Sequence, residues 1–251
     1  LSAVAIIPAR YASTRFPGKP LANTTGRYLI QHVYERVRQA ASLDRVIVAT
    51  DDERIVAAVQ SFGGDVVMTR SGHRSGTDRI AEVAADLDHE LIVNVQGDEP
   101  EIEPNAIDTL VALMADRPDV PMATLACPYP ADADPNDPSA VKVVASRDGT
   151  ALYFSRSRIP YPRDGADPDD RTNPWLLHLG IYAYRRDFLL QYSRLPVSRL
   201  ERIEKLEQLR ALENGYRIAV GLVERASVGI DTPADYEAFV QRAVKGPAAT
   251  G

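Results

Sequence analysis

The sequence predicts an α/β fold: a mostly parallel sheet with helices on both faces and a small antiparallel β insertion. Three observations carry this. Short, largely apolar runs at residues 4–7, 45–49, 65–68, 90–95 and 120–126 alternate with segments of helical periodicity. Most of those runs are apolar throughout instead of alternating, as strands buried on both faces are. The alternation breaks at Cys127, and two later runs, 140–145 and 151–155, flank Ser146-Arg147-Asp148-Gly149, a hairpin signal.

The first strand, 4–7, is read as ending at Pro8. The loop from there to Ala22 carries Arg10, Arg15 and Lys19 among Ala12, Ser13, Thr14, Pro17, Gly18 and Pro20. Open α/β sheets bind ligands beyond the carboxyl ends of their strands. Small residues there let backbone N–H groups approach an anion beside the cationic side chains. The loop therefore reads as a phosphate-binding loop for a polyphosphate. It is neither a Walker loop nor a dinucleotide fingerprint, because Gly18 is its only glycine.

Residues 29–41 follow as an amphipathic helix, with Ile30, Val33, Val37 and Ala41 on one face. The strand 45–49 leads to the helix 53–62, capped by Asp52 or Thr50 and stopped by Gly63-Gly64. After the strand 65–68, the loop 71–79 is rich in small residues, and Thr77 or Ser75 caps the helix 78–86. The strand 90–95 runs into Gln96-Gly97-Asp98-Glu99-Pro100, followed by a helix over 102–116 with Pro104 near its first turn. In the second half, 178–184 reads as a strand, 188–192 as a short helix and 200–213 as one strong helix closed by Asn214-Gly215. A strand at 217–223 precedes the last helix, 233–244, capped by Asp231 or Thr232. The expected organisation is one domain over 1–246, with a β-rich insertion at 127–185 and a frayed tail at 247–251.

The chain has 251 residues and a net charge of -6, which argues against a general nucleic-acid binder and makes the basic loop a local patch suited to a small anion. Cys127 is the sole cysteine, so no intrachain disulfide can form. No apolar run reaches membrane-spanning length, and the first strand begins with no secretory leader before it, so a cytoplasmic protein is expected.

Asp98, just past an apolar strand, is placed to hold Mg²⁺, which takes few protein ligands and fills its shell with water and phosphate oxygens. The plainer reading is a turn acid. Glu99 points the other way if the segment stays extended, and is not read as a ligand. Asp231, before Thr232-Pro233, is the second metal candidate, although by itself an Asp at a helix start is a cap. Arg156, His178, Tyr182, Glu207 and Gln208 form a further polar set. Each alone reads as structural or solvated; together they suit a polyol carrying a carboxylate, with Arg for the carboxylate.

The segments IIPARYASTRFPGKPLA, VATDD, SGTDRIAEV, VNVQGDEP, AVKVV, ALYFSRSRIPY, HLGIYAY, EKLEQLRALENGYRI and GIDTPADYE occur in order over residues 4–237. They closely resemble the 3-deoxy-manno-octulosonate cytidylyltransferase (CMP-Kdo synthetase) family. The resemblance implies a Rossmann-like nucleotidyltransferase (nucleotide-diphospho-sugar transferase) fold, a homodimer formed through the β insertion, and the reaction of CTP with Kdo to give CMP-Kdo and diphosphate. By position in the motifs it implies triphosphate contacts from Arg10, Ser13, Arg15 and Lys19. It implies cytosine or ribose contacts from Ser75, Gly76 and Gln96, and Mg²⁺ ligation by Asp98 and Asp231. It implies Kdo contacts from Arg156, His178, Tyr182, Glu207 and Gln208. Lys19 and Arg15 would offset charge on the departing diphosphate. The sequence departs from the family at Arg27-Tyr28 and Tyr161, and matches it poorly over 162–174, the expected lid. The rival readings are transfer to 8-amino-Kdo or a sialic acid, and a silent module that only senses CTP.

Overall fold

The computed structural model describes residues 1–12, 15–163 and 175–245. They form two compact units, Leu1–Asp108 with Ser227–Gly251, and Thr109–Ala226. The second unit is wider than the 127–185 insertion marked out by composition.

The first unit alternates β1 (Ala3–Ala9), α1 (Leu29–Val37), β2 (Arg45–Thr50), α2 (Glu53–Ser61), β3 (Val66–Met68), α3 (Gly76–Ala85) and β4 (Leu91–Asn94). Its strands lie in the order β3-β2-β1-β4, all parallel. Ala3 to Ile7 of β1 and all of β4 are buried, as their unbroken apolar runs require. Among the expected caps, Asp52 accepts from the Arg54 N–H and Ser75 from the Asp78 N–H. The α1 helix stops at Val37, short of residue 41, because its end tightens into Gln39 N–H to Arg36 and Ala40 N–H to Val37 turns.

Pro8 does not end β1. The Ile6 carbonyl accepts from Val95, so residues of that parity face β4, and β4 pairing finishes at Ile6–Asn94. The missing Pro8 N–H therefore faces a side with no ladder left to break, while pairing with β2 continues through Ala9–Thr50.

Past β4, α4 (Pro104–Asp116) carries the chain into the second unit, which holds β5 (Met122–Pro128), β6 (Lys142–Ala145), β7 (Ala151–Ser155), β8 (Leu176–Arg185), α5 (Arg186–Tyr192), α6 (Arg199–Glu204), α7 (Gln208–Glu213) and β9 (Ile218–Leu222). β5 runs antiparallel to β8 and parallel to β9, and β6 and β7 form the expected hairpin about Gly149, whose φ is 75°. The chain then returns to the first unit as α8 (Pro233–Lys245).

The single helix expected over 200–213 is broken. Lys205 takes a left-handed conformation with φ 55°, and α7 starts afresh at Gln208. The freed carbonyls of Glu204 and Lys205 accept from the Arg156 guanidinium, at 2.7 and 3.3 Å. Local propensity favours one helix; a charged partner from the end of β7 outweighs it.

Candidate active site

The basic loop is shaped by Gly18. Its N–H donates to the Tyr11 carbonyl at 3.0 Å, and its φ of 71° turns the chain into a short 3₁₀ turn, Lys19–Leu21. This left-handed value favours glycine, and an added Cβ would lie 3.3 Å from the Tyr11 ring. The turn aims Lys19 back toward the carboxyl ends of β1 and β4.

There the loop borders a cavity of about 410 Å³. Arg10, Arg15, Lys19, Gly76, Gln96 and Asp98 all line it, so six of the residues singled out in the sequence meet at one place. Ser75 stands next to it as the cap of α3, and Gly76 opens that helix. Ser13 lies outside the described residues. Gly97, which the sequence reading passed over, is also in the wall: a Cβ there would come within 2.9 Å of the Pro8 carbonyl oxygen. Only glycine lets the segment carrying Asp98 pass so close to β1.

Lys19 Nζ donates to Asp98 Oδ2 at 2.7 Å and to the Ile230 carbonyl at 2.7 Å. The Ile230 N–H donates in turn to the Asp98 carbonyl at 2.9 Å. Asp98 and the segment before α8 are therefore drawn together on one ammonium, although 132 positions of sequence separate Asp98 from Ile230. Side-chain packing holds α8 in place: Ile230, Tyr236 and Phe239 bury against Leu29, with Phe16 and Ala22 of the basic loop alongside. The Tyr236 hydroxyl accepts from the Thr24 N–H at 2.9 Å.

Asp231 sits at the same end of α8, with Oδ1 2.9 Å from Arg15 Nη2. It does not cap the helix. Thr232 Oγ1 accepts from the Asp235 N–H, and Asp235 Oδ2 accepts from the N–H groups of Asp231 and Thr232. Thr232 and Asp235 thus form the reciprocal cap, leaving the Asp231 carboxylate to Arg15. That pair is more than half exposed on both sides, so it is weak and exchanges readily.

Glu99 points elsewhere, as expected. Its Oε2 accepts from Ser227 Oγ at 2.6 Å. Burial, with the neighbouring Asp98 charge, pushes its carboxyl up to about 7 against the Ser227 hydrogen bond.

Among the described residues no group of three or more His, Cys, Asp or Glu side chains could hold a metal. Asp98 and Asp231 nevertheless suit Mg²⁺: they are hard oxygen donors on adjacent segments, Asp98 in the cavity wall and Asp231 paired with Arg15 of that wall, and Mg²⁺ commonly uses one or two carboxylates with water and phosphate.

The remaining candidates belong to the second unit. His178 and Tyr182 share a face of β8, with ring centroids 5.5 Å apart, and Phe154 meets the His178 ring edge-on at 4.9 Å. Burial lowers His178 to about 3, so the ring is neutral. The Thr124 hydroxyl donates to the Ile181 carbonyl at 2.8 Å and lies 3.1 Å from His178 Nε2. With its one proton engaged, that hydroxyl accepts from Nε2–H, which leaves Nδ1 as an acceptor. Burial, then Tyr184 and Glu207, raises Tyr182 well above the usual phenol range. Glu207 and Gln208 stand at the start of α7, not in mid-helix. Arg156 donates to the carbonyls of Glu204, Pro138 and Lys205.

The sequence reading missed Lys142. It is fully buried, and its ammonium donates to the carbonyls of Asp137, Ala140 and Arg156 at 2.9, 2.6 and 2.6 Å. The available signal was a cation inside the apolar run AVKVV. Arg79 was missed too: it is fully buried in α3, with Nη2 2.9 Å from Asp51 Oδ2.

A basic loop past the first strand of a parallel sheet, facing a carboxylate past the fourth, defines an α/β protein of the nucleotidyltransferase class. The family model described as Cytidylyltransferase matches residues 4–218. Over 239 residues the chain is 56% identical to a 3-deoxy-manno-octulosonate cytidylyltransferase of Syntrophotalea carbinolica, covering 94% of this chain and 96% of that one. It is 53% identical to the enzyme of the same name from Solibacter usitatus, covering 92% and 90%. A solved CMP:2-keto-3-deoxy-manno-octonic acid synthetase complexed with CTP superposes with a TM-score of 0.90 at 48% identity, covering 96% of this chain and 98% of that one. The chain belongs to the cytidylyltransferase family, in its 3-deoxy-manno-octulosonate cytidylyltransferase branch.

Proposed function

We propose that this protein transfers the cytidylyl group of CTP to Kdo, giving CMP-Kdo and diphosphate for lipopolysaccharide synthesis. The observation that carries the reading is the meeting of Lys19 with Asp98 and the Ile230 carbonyl beside the basic-loop cavity. That cavity lies in the size range of small-molecule sites, and its cations and small residues suit a triphosphate.

The C2 hydroxyl oxygen of Kdo attacks the α-phosphorus of CTP in line. The new bond is O–Pα; the bond from Pα to the bridging β-oxygen breaks; diphosphate leaves, and the hydroxyl proton passes to solvent. Arg10, Arg15 and Lys19 bind the phosphates, and Arg15 and Lys19 offset the charge that builds on the leaving group. Ser75, Gly76 and Gln96 orient the base and ribose. Asp98 and Asp231 would hold Mg²⁺, which when bound supplies charge neutralisation and polarisation at the phosphates. Lys19 keeps the Asp98 carboxylate in place meanwhile.

On the sugar side, Arg156, His178, Tyr182, Glu207 and Gln208 hold Kdo. A neutral His178 offers Nδ1 to a sugar hydroxyl, and a Tyr182 that keeps its proton donates to another. The insertion at 127–185 carries three of these sugar contacts, Arg156, His178 and Tyr182, and the face for a homodimer, and the protein works in the cytoplasm. Among the described residues no helix is long and apolar enough to cross a membrane.

The test is diphosphate release from CTP and Mg²⁺ with Kdo, 8-amino-Kdo or a sialic acid. Release that is fastest with Kdo supports the proposal. Faster release with another sugar reassigns the substrate, and CTP binding without release removes the activity.

A further inference from the structure

The loop between β3 and α3 is stapled to its own helix by one side chain. Glu82, two turns into α3, accepts from the Arg70 N–H at 3.2 Å and from Arg70 Nε at 3.0 Å. The same carboxylate takes a hydrogen bond from His73 Nε2. Arg70 opens the loop and His73 is at its middle, so both are fixed to a rigid helix. On its other side, His73 presents its backbone carbonyl to Arg10, whose Nη2 donates to it at 3.0 Å. Arg10 lines the phosphate cavity.

Surface ion pairs are usually worth little, and the Arg70 contact alone would be one of these, since its side chain is 80% exposed. The His73 contact is different: that side chain is only 10% exposed. Burial works against the Glu82 charge, but the Arg70 and His73 hydrogen bonds outweigh it and hold the carboxyl below its usual range.

We propose that Glu82 is a positioning residue for nucleotide binding: through His73 it fixes the carbonyl that anchors the Arg10 guanidinium at the cavity. This rests on the reading of that cavity as the CTP site. Glu82 touches no substrate. Its contribution is to keep one edge of Arg10 from swinging free, so that binding CTP does not have to order that side chain.

The experiment is calorimetric titration of the full chain with CTP and Mg²⁺, together with steady-state kinetics. Glu82→Ala is expected to weaken CTP binding about tenfold, the loss of roughly one charge-assisted hydrogen bond. The KM for CTP rises to match, while the KM for Kdo and kcat at saturation stay within about twofold, a split that simple loss of folded protein does not give. His73→Phe, which keeps a ring but loses the nitrogen, gives the same result if Glu82→Ala folds poorly. His73→Gln, which restores a donor, recovers part of the affinity. In a double-mutant cycle, Glu82→Ala adds less than about twofold once Arg10 is already Ala. Wild-type affinity in Glu82→Ala and His73→Phe, or fully additive losses with Arg10→Ala, overturns the proposal. Failure of the wild type to bind CTP would instead overturn the nucleotide reading, and is seen before any variant is made.

Discussion

Lys19 and Asp98 meet at 2.7 Å, and the lysine side chain is only 13% exposed while the aspartate is 31% exposed. The ammonium is therefore held from the protein side by Asp98 and the Ile230 carbonyl, and the carboxylate keeps an open edge toward the cavity. The cation is largely shielded while the anion stays reachable.

Asp98→Asn and Asp231→Asn are each expected to lower diphosphate release by at least about a hundredfold, the scale of losing one electrostatic contact to a transferring phosphoryl group. Lys19 retains the Ile230 carbonyl in the first variant, and the Arg15 pair lost in the second is exposed, so melting temperatures should move by only a few degrees. Turnover assays beside thermal melts check this. Near-normal output from either variant removes that residue from the site.

The cap of α8 separates two roles that the sequence could not. Thr232→Ala or Asp235→Ala breaks the reciprocal cap and should cost about 1 kcal/mol of stability. Asp231→Ala should cost much less, because its side chain satisfies no helix N–H in the observed cap. Urea unfolding of the three variants decides it: a loss at Asp231 equal to that at Thr232 would return Asp231 to a capping role.

Much of this was legible beforehand because it rests on local pattern. Unbroken apolar runs marked β1, β2 and β4, and Gly18 among cations marked the loop. What was not legible depends on partners far along the chain. The segment 200–213 is composed of good helix formers, and nothing within it announces that Arg156 will take the carbonyls of Glu204 and Lys205. Asp231 and Thr232 are equally good caps on paper, and only the position of Asp235 Oδ2 decides between them. Lys142 reads as an exception inside a strand until the loop carbonyls that surround it are known.

That lysine gives a third prediction. Lys142→Met fills the same space but leaves the carbonyls of Asp137, Ala140 and Arg156 without their donor. Destabilisation of about 2–4 kcal/mol is expected, read from the shift in urea midpoint at constant slope. A change within about half a kcal/mol would mean that water replaces the ammonium.

Gly97 offers a fourth. Gly97→Ala forces a methyl group to within 2.9 Å of the Pro8 oxygen, a backbone atom that cannot swing aside. The segment bearing Asp98 must shift by a few tenths of an ångström. We expect kcat/KM to fall about tenfold or more, as positioning of reacting groups tolerates little displacement, with a smaller loss of stability. Unchanged kinetics would show that Asp98 does not need its present placement.

The last prediction concerns pH. Burial lowers His178 to about 3 in the folded chain, against about 6.5 for an exposed imidazole in the unfolded chain. The unfolded state therefore binds this proton more readily. Stability from a neutral His178 is fully present above about pH 6.5 and is lost as pH falls toward 3, by about 1.4 kcal/mol per pH unit. Other carboxylates also titrate there, so the informative quantity is the difference between wild type and His178→Phe. The phenyl ring can still meet Phe154, and the Thr124 hydroxyl keeps its bond to the Ile181 carbonyl. Unfolding free energies measured from about pH 7.5 down to about pH 4 should favour the wild type progressively less than the variant as the solution is acidified. Parallel curves would mean that the ring is reached by water, and the neutral acceptor assigned to the sugar side would lose its basis.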